Sequence, residues 1–297
     1  MRNSCSSIDD SLDMYLCQVS ESVSCGACCG LYNVPDLSRE NLELLLSERT
    51  EAFASVPRTE NGIYDFLRKN EGPLPRARPF PEFHHCPFLG FVGEEKSRVG
   101  CLLHPTAHGN NGVDYRSLSW YGEKACRTYF CPATKKLVAV YQSILMQSLD
   151  NWYDFGLIVT EHCLVTAYFR EVESRLGRHI TESDFTQNCR AADAVRKFAE
   201  LKSKWPYRRD DSPGPCNFFF ENGLYPRPAV FRSSPDIRLS SNEMILRELD
   251  SGFSSAKELE EADKLLDDLF SKTVRGIESI NADQRSNRNS GGQPPSI

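Results

Sequence analysis

The sequence predicts a mainly α-helical protein in which an irregular, cysteine-rich N-terminal half packs against C-terminal helices. Three observations predict it. Apolar residues recur at spacings of three and four through much of residues 133–205 and again after Ser255, which is the period of one helix face. Gly and Pro punctuate residues 71–113, in "EGPLPRARPFPEFHHCPF" and "HPTAHGNNGV", where turn formers outnumber helix formers. Seven of the twelve cysteines fall between Cys25 and Cys131, in short blocks.

Within the N-terminal half, Ser38 is positioned to cap a helix over "RENLELLLSERTEAFA", and "NGIYDFLRK" predicts a shorter one that Gly72 and Pro73 end. Further on, Val138, Tyr141, Leu145 and Leu149 line one face of a helix drawn over "ATKKLVAVYQSILMQSL". The most apolar window, residues 155–169, predicts a core helix, with Leu164, Tyr168, Val172 and Leu176 repeating the period. In "ESDFTQNCRAADAVRKFAELKSKW" the residues Phe185, Ala192, Val195, Phe198 and Trp205 share a face. Residues 207–240 are rich in Pro and Gly and predict an ordered loop or short hairpin, with Phe218, Phe219 and Phe220 in its packing. Ser255 and Glu258 form a capping-box pair ahead of Leu259, Ala262, Leu266, Leu269 and Phe270. The resulting division is an extension over 1–21, a cysteine module over 22–135, helices over 136–280 and a disordered tail over 281–297, where apolar residues are scarce.

Composition narrows the function classes. The net charge of −6, from 35 Lys+Arg and 41 Asp+Glu, supplies no field for a phosphate backbone, so a general nucleic-acid binder is disfavoured. "KSKWPYRR" reads as a solvated helix end. The apolar window at 155–169 is interrupted by Glu161 and His162 and is shorter than the ~20 residues of a spanning helix. Acidic residues occupy the N-terminal stretch where a signal peptide has its apolar core, so a cytoplasmic location is expected. A reducing cytoplasm disfavours permanent disulfides and turns clustered cysteines toward metal binding or catalysis.

The blocks have ligand spacing. In "SVSCGACCGLYNV", Cys25 and Cys28 form a C-x2-C pair of the kind one tight turn presents to zinc, and Gly26 and Gly30 suit that turn. Cys126 and Cys131 form a looser pair, and Cys86 and Cys131 are each followed by proline, as at the end of the bacterial iron–sulfur ligand run. Cys101 and His104 have knuckle-like spacing, so His104 is a candidate eighth ligand beside the thiols of Cys25, Cys28, Cys29, Cys86, Cys101, Cys126 and Cys131. Eight ligands fill two four-coordinate sites. In an extended strand Cys28 and Cys29 point to opposite faces and serve different ions. In a helical turn they can approach one cluster together.

"CGACCG", "HCPFLGF", "GCLLHP" and "ACRTYFCP", taken in order, resemble the blocks of the cysteine-cluster family of zinc- or iron-chelating domains, also called the YkgJ-type family. The resemblance covers roughly residues 22–135. It implies a metal-binding module holding zinc or an iron–sulfur cluster through those cysteines, with a structural, regulatory or partner-docking role. One relative of that family, a flagellin lysine methylase, associates a similar cluster with methyl transfer, so an iron–sulfur enzyme acting on a macromolecule by methyl or electron transfer is the alternative. This chain departs from the family in the long segment between Cys101 and Cys126, which brings His104, His108, Asp114, Arg116 and Tyr121 near the blocks. Neither a dinucleotide fingerprint nor a phosphate loop is present.

The remaining candidates divide simply. His84 and His85 precede Cys86 and can ligate metal or hydrogen-bond a ligand sulfur. Arg127 can neutralise a thiolate-rich site or pair with a surface acid. Cys5, Cys17, Cys163, Cys189 and Cys216 have no partner at ligand spacing and are read as structural. A thioredoxin-like redox pair would follow a strand in a βαβ unit, and no such context precedes Cys25.

Overall fold

The computed structural model describes residues 15–71, 79–81, 83, 85–119, 121–212 and 227–290. The chain is mainly α, with two small two-stranded sheets. Cys5, His84, Cys216 and the Phe218–Phe220 run lie outside the described residues.

Two apolar clusters organise the molecule. The first gathers helix α1 (Arg39–Ala54), helix α2 (Glu60–Glu71) and an antiparallel hairpin of β1 (Leu89–Val92) and β2 (Arg98–Cys101). Ser38 caps α1 as its sequence predicts, accepting a hydrogen bond from the Asn41 N–H at 3.3 Å. At the centre Phe53, Phe66 and Phe88 meet with ring centroids 5.1 to 5.8 Å apart. Two 3-10 turns, Ala27–Cys29 and Arg116–Leu118, and helix α3 (Gly122–Thr128) complete the region.

The second cluster is helical. It holds α4 (Ala133–Lys136), α5 (Ala139–Ser148), α6 (Trp152–Ile158), α7 (His162–Leu176), α8 (Cys189–Lys204), α9 (Glu243–Glu248) and α10 (Ala256–Ser290). Tyr168 of α7 stacks on Phe198 of α8 at 3.7 Å between centroids, and its hydroxyl bonds Thr273 of α10 at 2.6 Å. Helices α8 and α10 approach closely because Gly276 has no side chain; a Cβ there would stand 2.8 Å from the Ala191 nitrogen. The capping pair at α10 forms, with the Glu258 N–H on Ser255 and the Glu258 carboxylate on the Ser254 N–H.

Three expectations need correction. The helix drawn over 133–149 breaks at Leu137 and Val138, both extended, and Val138 is exposed instead of lining a core face. Gln142 makes the break tolerable, because its amide donates to the Thr134 and Leu137 carbonyls. The core helix over 155–169 is two helices, α6 and α7, separated at 159–161. That break turns the buried Glu161 carboxylate onto Lys202 and Arg227, an ion pairing a continuous apolar face would not supply. Of the stretch 207–240, read as an ordered loop or short hairpin, residues 213–226 lie outside the described residues, and Phe231–Arg232 forms β3, which pairs in parallel with β4 (Gly252–Phe253). Helix α10 continues to Ser290, past the expected start of the tail at residue 281, since each added residue of a formed helix closes one more hydrogen bond. Residues 291–297 lie outside the described residues.

Helix α6 is the seam between the clusters. Its Trp152, Tyr153 and Leu157 join the first cluster, while Phe155 and Ile158 join the second. No helix among the described residues is long and apolar enough to cross a membrane.

Candidate functional site

The cysteines lie along both clusters: Cys86 is buried in the first with Cys29 and Cys101 packed against it, Cys131 is buried in the second, and Cys25 packs against both. Their positions follow from local backbone devices. The Ala27–Cys29 turn closes with Gly30 at φ +79°, a conformation glycine adopts without strain. Gly26 is needed for a different reason: at φ −115° its backbone is ordinary, but a Cβ would press on Val99 at 3.0 Å and Leu31 at 3.1 Å. Buried His85 steadies the turn by donating from Nδ1 to the Gly30 carbonyl at 2.6 Å. The Cys86 N–H donates to the Cys29 carbonyl at 2.9 Å, and Cys101 lies at the end of β2 opposite Leu89. Cys126, on α3, is 2.9 Å from the Ser119 hydroxyl, and Cys131 precedes α4.

Several sulfurs receive backbone N–H groups from two residues further on. Ala27 donates to Cys25 at 3.5 Å, Phe88 to Cys86, Leu103 to Cys101 and Ala133 to Cys131. The prolines after Cys86 and Cys131 fit this geometry, because each fixes φ at the intervening residue and leaves the next N–H as the donor. Such donors favour the negative thiolate over the thiol.

Burial opposes them and wins. It pushes the Cys86 thiol up to about 12 and those of Cys101 and Cys131 up to about 11, with neighbouring thiols adding to the effect. Burial also drives Cys25 well up, with Cys28, Cys17 and Cys131 adding repulsion. Cys28 and Cys29 share one hydrogen bond, which lowers the Cys28 pKa and raises that of Cys29. Burial pulls Cys28 the other way, but the hydrogen bond from Cys29 outweighs it. Protonated, buried thiols are poor nucleophiles, whereas a bound cation would replace the protons and relieve the mutual repulsion.

Two arginines contact the cysteine backbone. Arg49 of α1, buried, donates to the Cys86 carbonyl at 3.3 Å, and Arg116 donates to the Cys126 carbonyl at 3.4 Å while chelating Asp114. Arg127 stands 3.2 Å from Asp114, the surface-acid alternative of its two readings. Asp114 is held down to about 2 by its hydrogen bonds with Arg116. Tyr15, Tyr129 and Phe130 are exposed, the two tyrosines within electrostatic reach of Cys17, Cys28 and Cys29 and Tyr15 also of Arg116.

His104 is half-buried, its Nδ1 meeting the Thr106 hydroxyl at 2.8 Å and the Thr106 N–H at 3.3 Å, which leaves Nε2 as the ring nitrogen that could ligate. His108 and Tyr121 are exposed. Cys163 lies beside His162 on α7 and Cys189 opens α8, apart from the other thiols as their structural reading expects. Cys17 does not follow that reading. It stands against Cys25, and the available signal was the polar turn Ser20–Glu21–Ser22 with a cysteine on each flank.

The described cysteines are free thiols, and among the described residues no three His, Cys, Asp or Glu side chains already converge as a shell that could hold a metal ion. The donor chemistry suits a soft or borderline cation; closing a shell would require the sulfurs to move together. A shallow recess of about 320 Å³ between α8 and α10, lined by Arg190, Lys197, Lys272 and Arg275, contains none of the cysteines. No family model, curated protein or solved structure matches the chain.

Proposed function

We propose that this chain is a metal-binding cysteine-cluster protein in which zinc or an iron–sulfur cluster is held by Cys25, Cys28, Cys29, Cys86, Cys101, Cys126 and Cys131, with a structural or regulatory role that includes docking a protein partner. The observation that carries this reading is the packing of Cys25, Cys29, Cys86 and Cys101 along one apolar cluster, with the Ala27 N–H on the Cys25 sulfur at 3.5 Å and backbone N–H groups also favouring the thiolates of Cys86, Cys101 and Cys131. Donors aimed at sulfur are of little use to a buried neutral thiol, and they stabilise the charge of a coordinated thiolate. The ordered resemblance to the cysteine-cluster family supports the same reading. Exposed Tyr15, Tyr129 and Phe130 beside the thiols support a docking role, since aromatic side chains are enriched where proteins meet.

The test is anaerobic purification of the full chain followed by metal analysis, an absorption spectrum and thermal melting with and without chelator. Zinc gives a colourless protein and an iron–sulfur cluster a visibly coloured one. In either case chelation lowers the melting temperature. A chain that purifies without zinc or iron and melts identically in chelator overturns the reading.

A further inference from the structure

Helices α8 and α10 run antiparallel. At one end Gly276 lies against Ala191 and the Asn188 amide donates to the Gly276 carbonyl at 3.0 Å; at the other Tyr207, just past α8, meets Glu261 at 3.4 Å. The close approach at Gly276 lets side chains of both helices border the recess of about 320 Å³. Arg190 and Lys197 reach it from α8, and Lys272 and Arg275 from α10. All four are exposed. Among the described residues Asp193 is the one acid in the lining.

The cations outnumber their partners. Asp193 pairs with Lys197 at 2.9 Å and with Arg196 at 3.9 Å, and among the described residues Arg190, Lys272 and Arg275 make no ion pair. Gathering four cations on one recess of a chain with net charge −6 costs a mutual repulsion that an anion would relieve. Among the described residues the rest of the lining is Ala194 and Gly276, with no aromatic ring, so a ligand there is held by charge and hydrogen bonds and not by stacking. The helix pairing also sorts the cations. Arg190 adjoins Ala191 and Arg275 adjoins Gly276, which sets the arginines at one end, while Lys197 and Lys272 lie toward the other. Arg190 and Lys197 stand two helical turns apart, about 10 Å along the axis.

We propose that this recess binds a small soluble molecule that carries two phosphate groups on a non-aromatic frame. The arginine forks grip one phosphate, a geometry suited to bidentate bonds, and the lysines neutralise the second as point charges. A single phosphate engages one end alone. Asp193 weakens the lysine end by occupying Lys197. The net charge of −6 opposes approach to an anionic membrane surface, which favours a soluble ligand over a lipid headgroup. The recess contains none of the cysteines, so the proposal stands or falls apart from the metal-binding reading.

The test is isothermal titration calorimetry of the full-length chain with fructose 1,6-bisphosphate, fructose 6-phosphate and a hexaglutamate peptide. The bisphosphate is expected to fill one site, at least about tenfold more tightly than the monophosphate and less tightly as salt is raised. K272Q/R275Q should weaken it at least about tenfold. K257Q/K264Q, which removes two charges from exposed positions elsewhere on α10, should leave it within about twofold. D193N, by freeing Lys197, should tighten it about two- to fivefold, a gain that damage to the fold would not produce. All of these positions lie outside the apolar core, and thermal melting checks that each variant is folded. The inference is overturned if the bisphosphate gives no saturable binding, if the two sugar phosphates bind equally, if K272Q/R275Q weakens binding no more than K257Q/K264Q does, or if the acidic peptide binds more tightly than the bisphosphate.

Discussion

The two halves of the molecule are held by different physics. Around Tyr168, Phe198 and Phe270 the helices α7, α8 and α10 enclose large apolar side chains, and area removed from water stabilises the structure without any ligand. Between Cys17 and Cys131 the helices α1, α2 and α3 and the β1–β2 hairpin are joined by loops and tight turns. Specific polar contacts position them: His85 on Gly30, Asn33 on the Phe80 and Phe83 carbonyls, Asn110 on the Leu102 and His104 carbonyls, and N–H groups on sulfurs. This region adds directional bonds around the apolar centre of Phe53, Phe66 and Phe88, where the other relies on burial between long helices. The difference teaches where a ligand has leverage, since a cation can add much to the thiol side and little to the helices.

The sharpest way to break this contrast is to damage the helical core. Phe198→Ala removes a fully buried ring stacked on Tyr168 and should cost about 3–5 kcal/mol in denaturant unfolding. The loss should be the same with and without added zinc. A zinc-dependent loss would show that the two halves are not energetically distinct.

A smaller effect is expected at the seam. The Cys25 sulfur lies 3.9 Å from the Gly156 carbonyl, and a Cβ at Gly156 would fall 2.1 Å from the Tyr32 hydroxyl. Gly156→Ala should therefore displace Tyr32 and cost about 1–3 kcal/mol. Hydrogen exchange should quicken both in residues 25–34 and in α6. Faster exchange in α6 alone would mean that the turn bearing Cys28 and Cys29 is not braced by the helices.

The smallest effect lies wholly in the helical half. Asp184 is pushed up by burial, but the paired bonds from Arg178 at 2.7 and 2.8 Å and the Thr181 N–H outweigh burial and leave its pKa below the ordinary value. A depressed folded pKa stabilises the protein above the unfolded carboxylate value of about 4 and loses that effect as pH falls through the lower folded value. Asp184→Asn should lower stability at pH 7 by no more than about 1 kcal/mol, given the partly exposed Arg178. Melting curves of the two proteins should converge as the solution is acidified below pH ~4; a difference that persists would assign the effect to the capping hydrogen bonds and not to charge.

Helical class, the Ser38 cap, the α10 capping pair and the core positions Phe185, Val195, Phe198, Leu266 and Phe270 are legible in the sequence, because they depend on periodicity and on contacts a few residues apart. The breaks at 137–138 and 159–161 are not. They depend on Gln142 reaching freed carbonyls and on Glu161 meeting Lys202 and Arg227, pairings between distant segments.

The cysteine blocks divide the same way. Spacing alone singles out Cys25, Cys28, Cys29, Cys86, Cys101, Cys126 and Cys131, since a tight turn sets which nearby side chains share a direction. Tertiary structure decided two further things: that Cys17 stands opposite Cys25, and that the His104 Nδ1 meets Thr106. The reason is physical. A local motif encodes the bend of its own backbone, whereas the partner a side chain meets depends on which remote segment the core folds beside it.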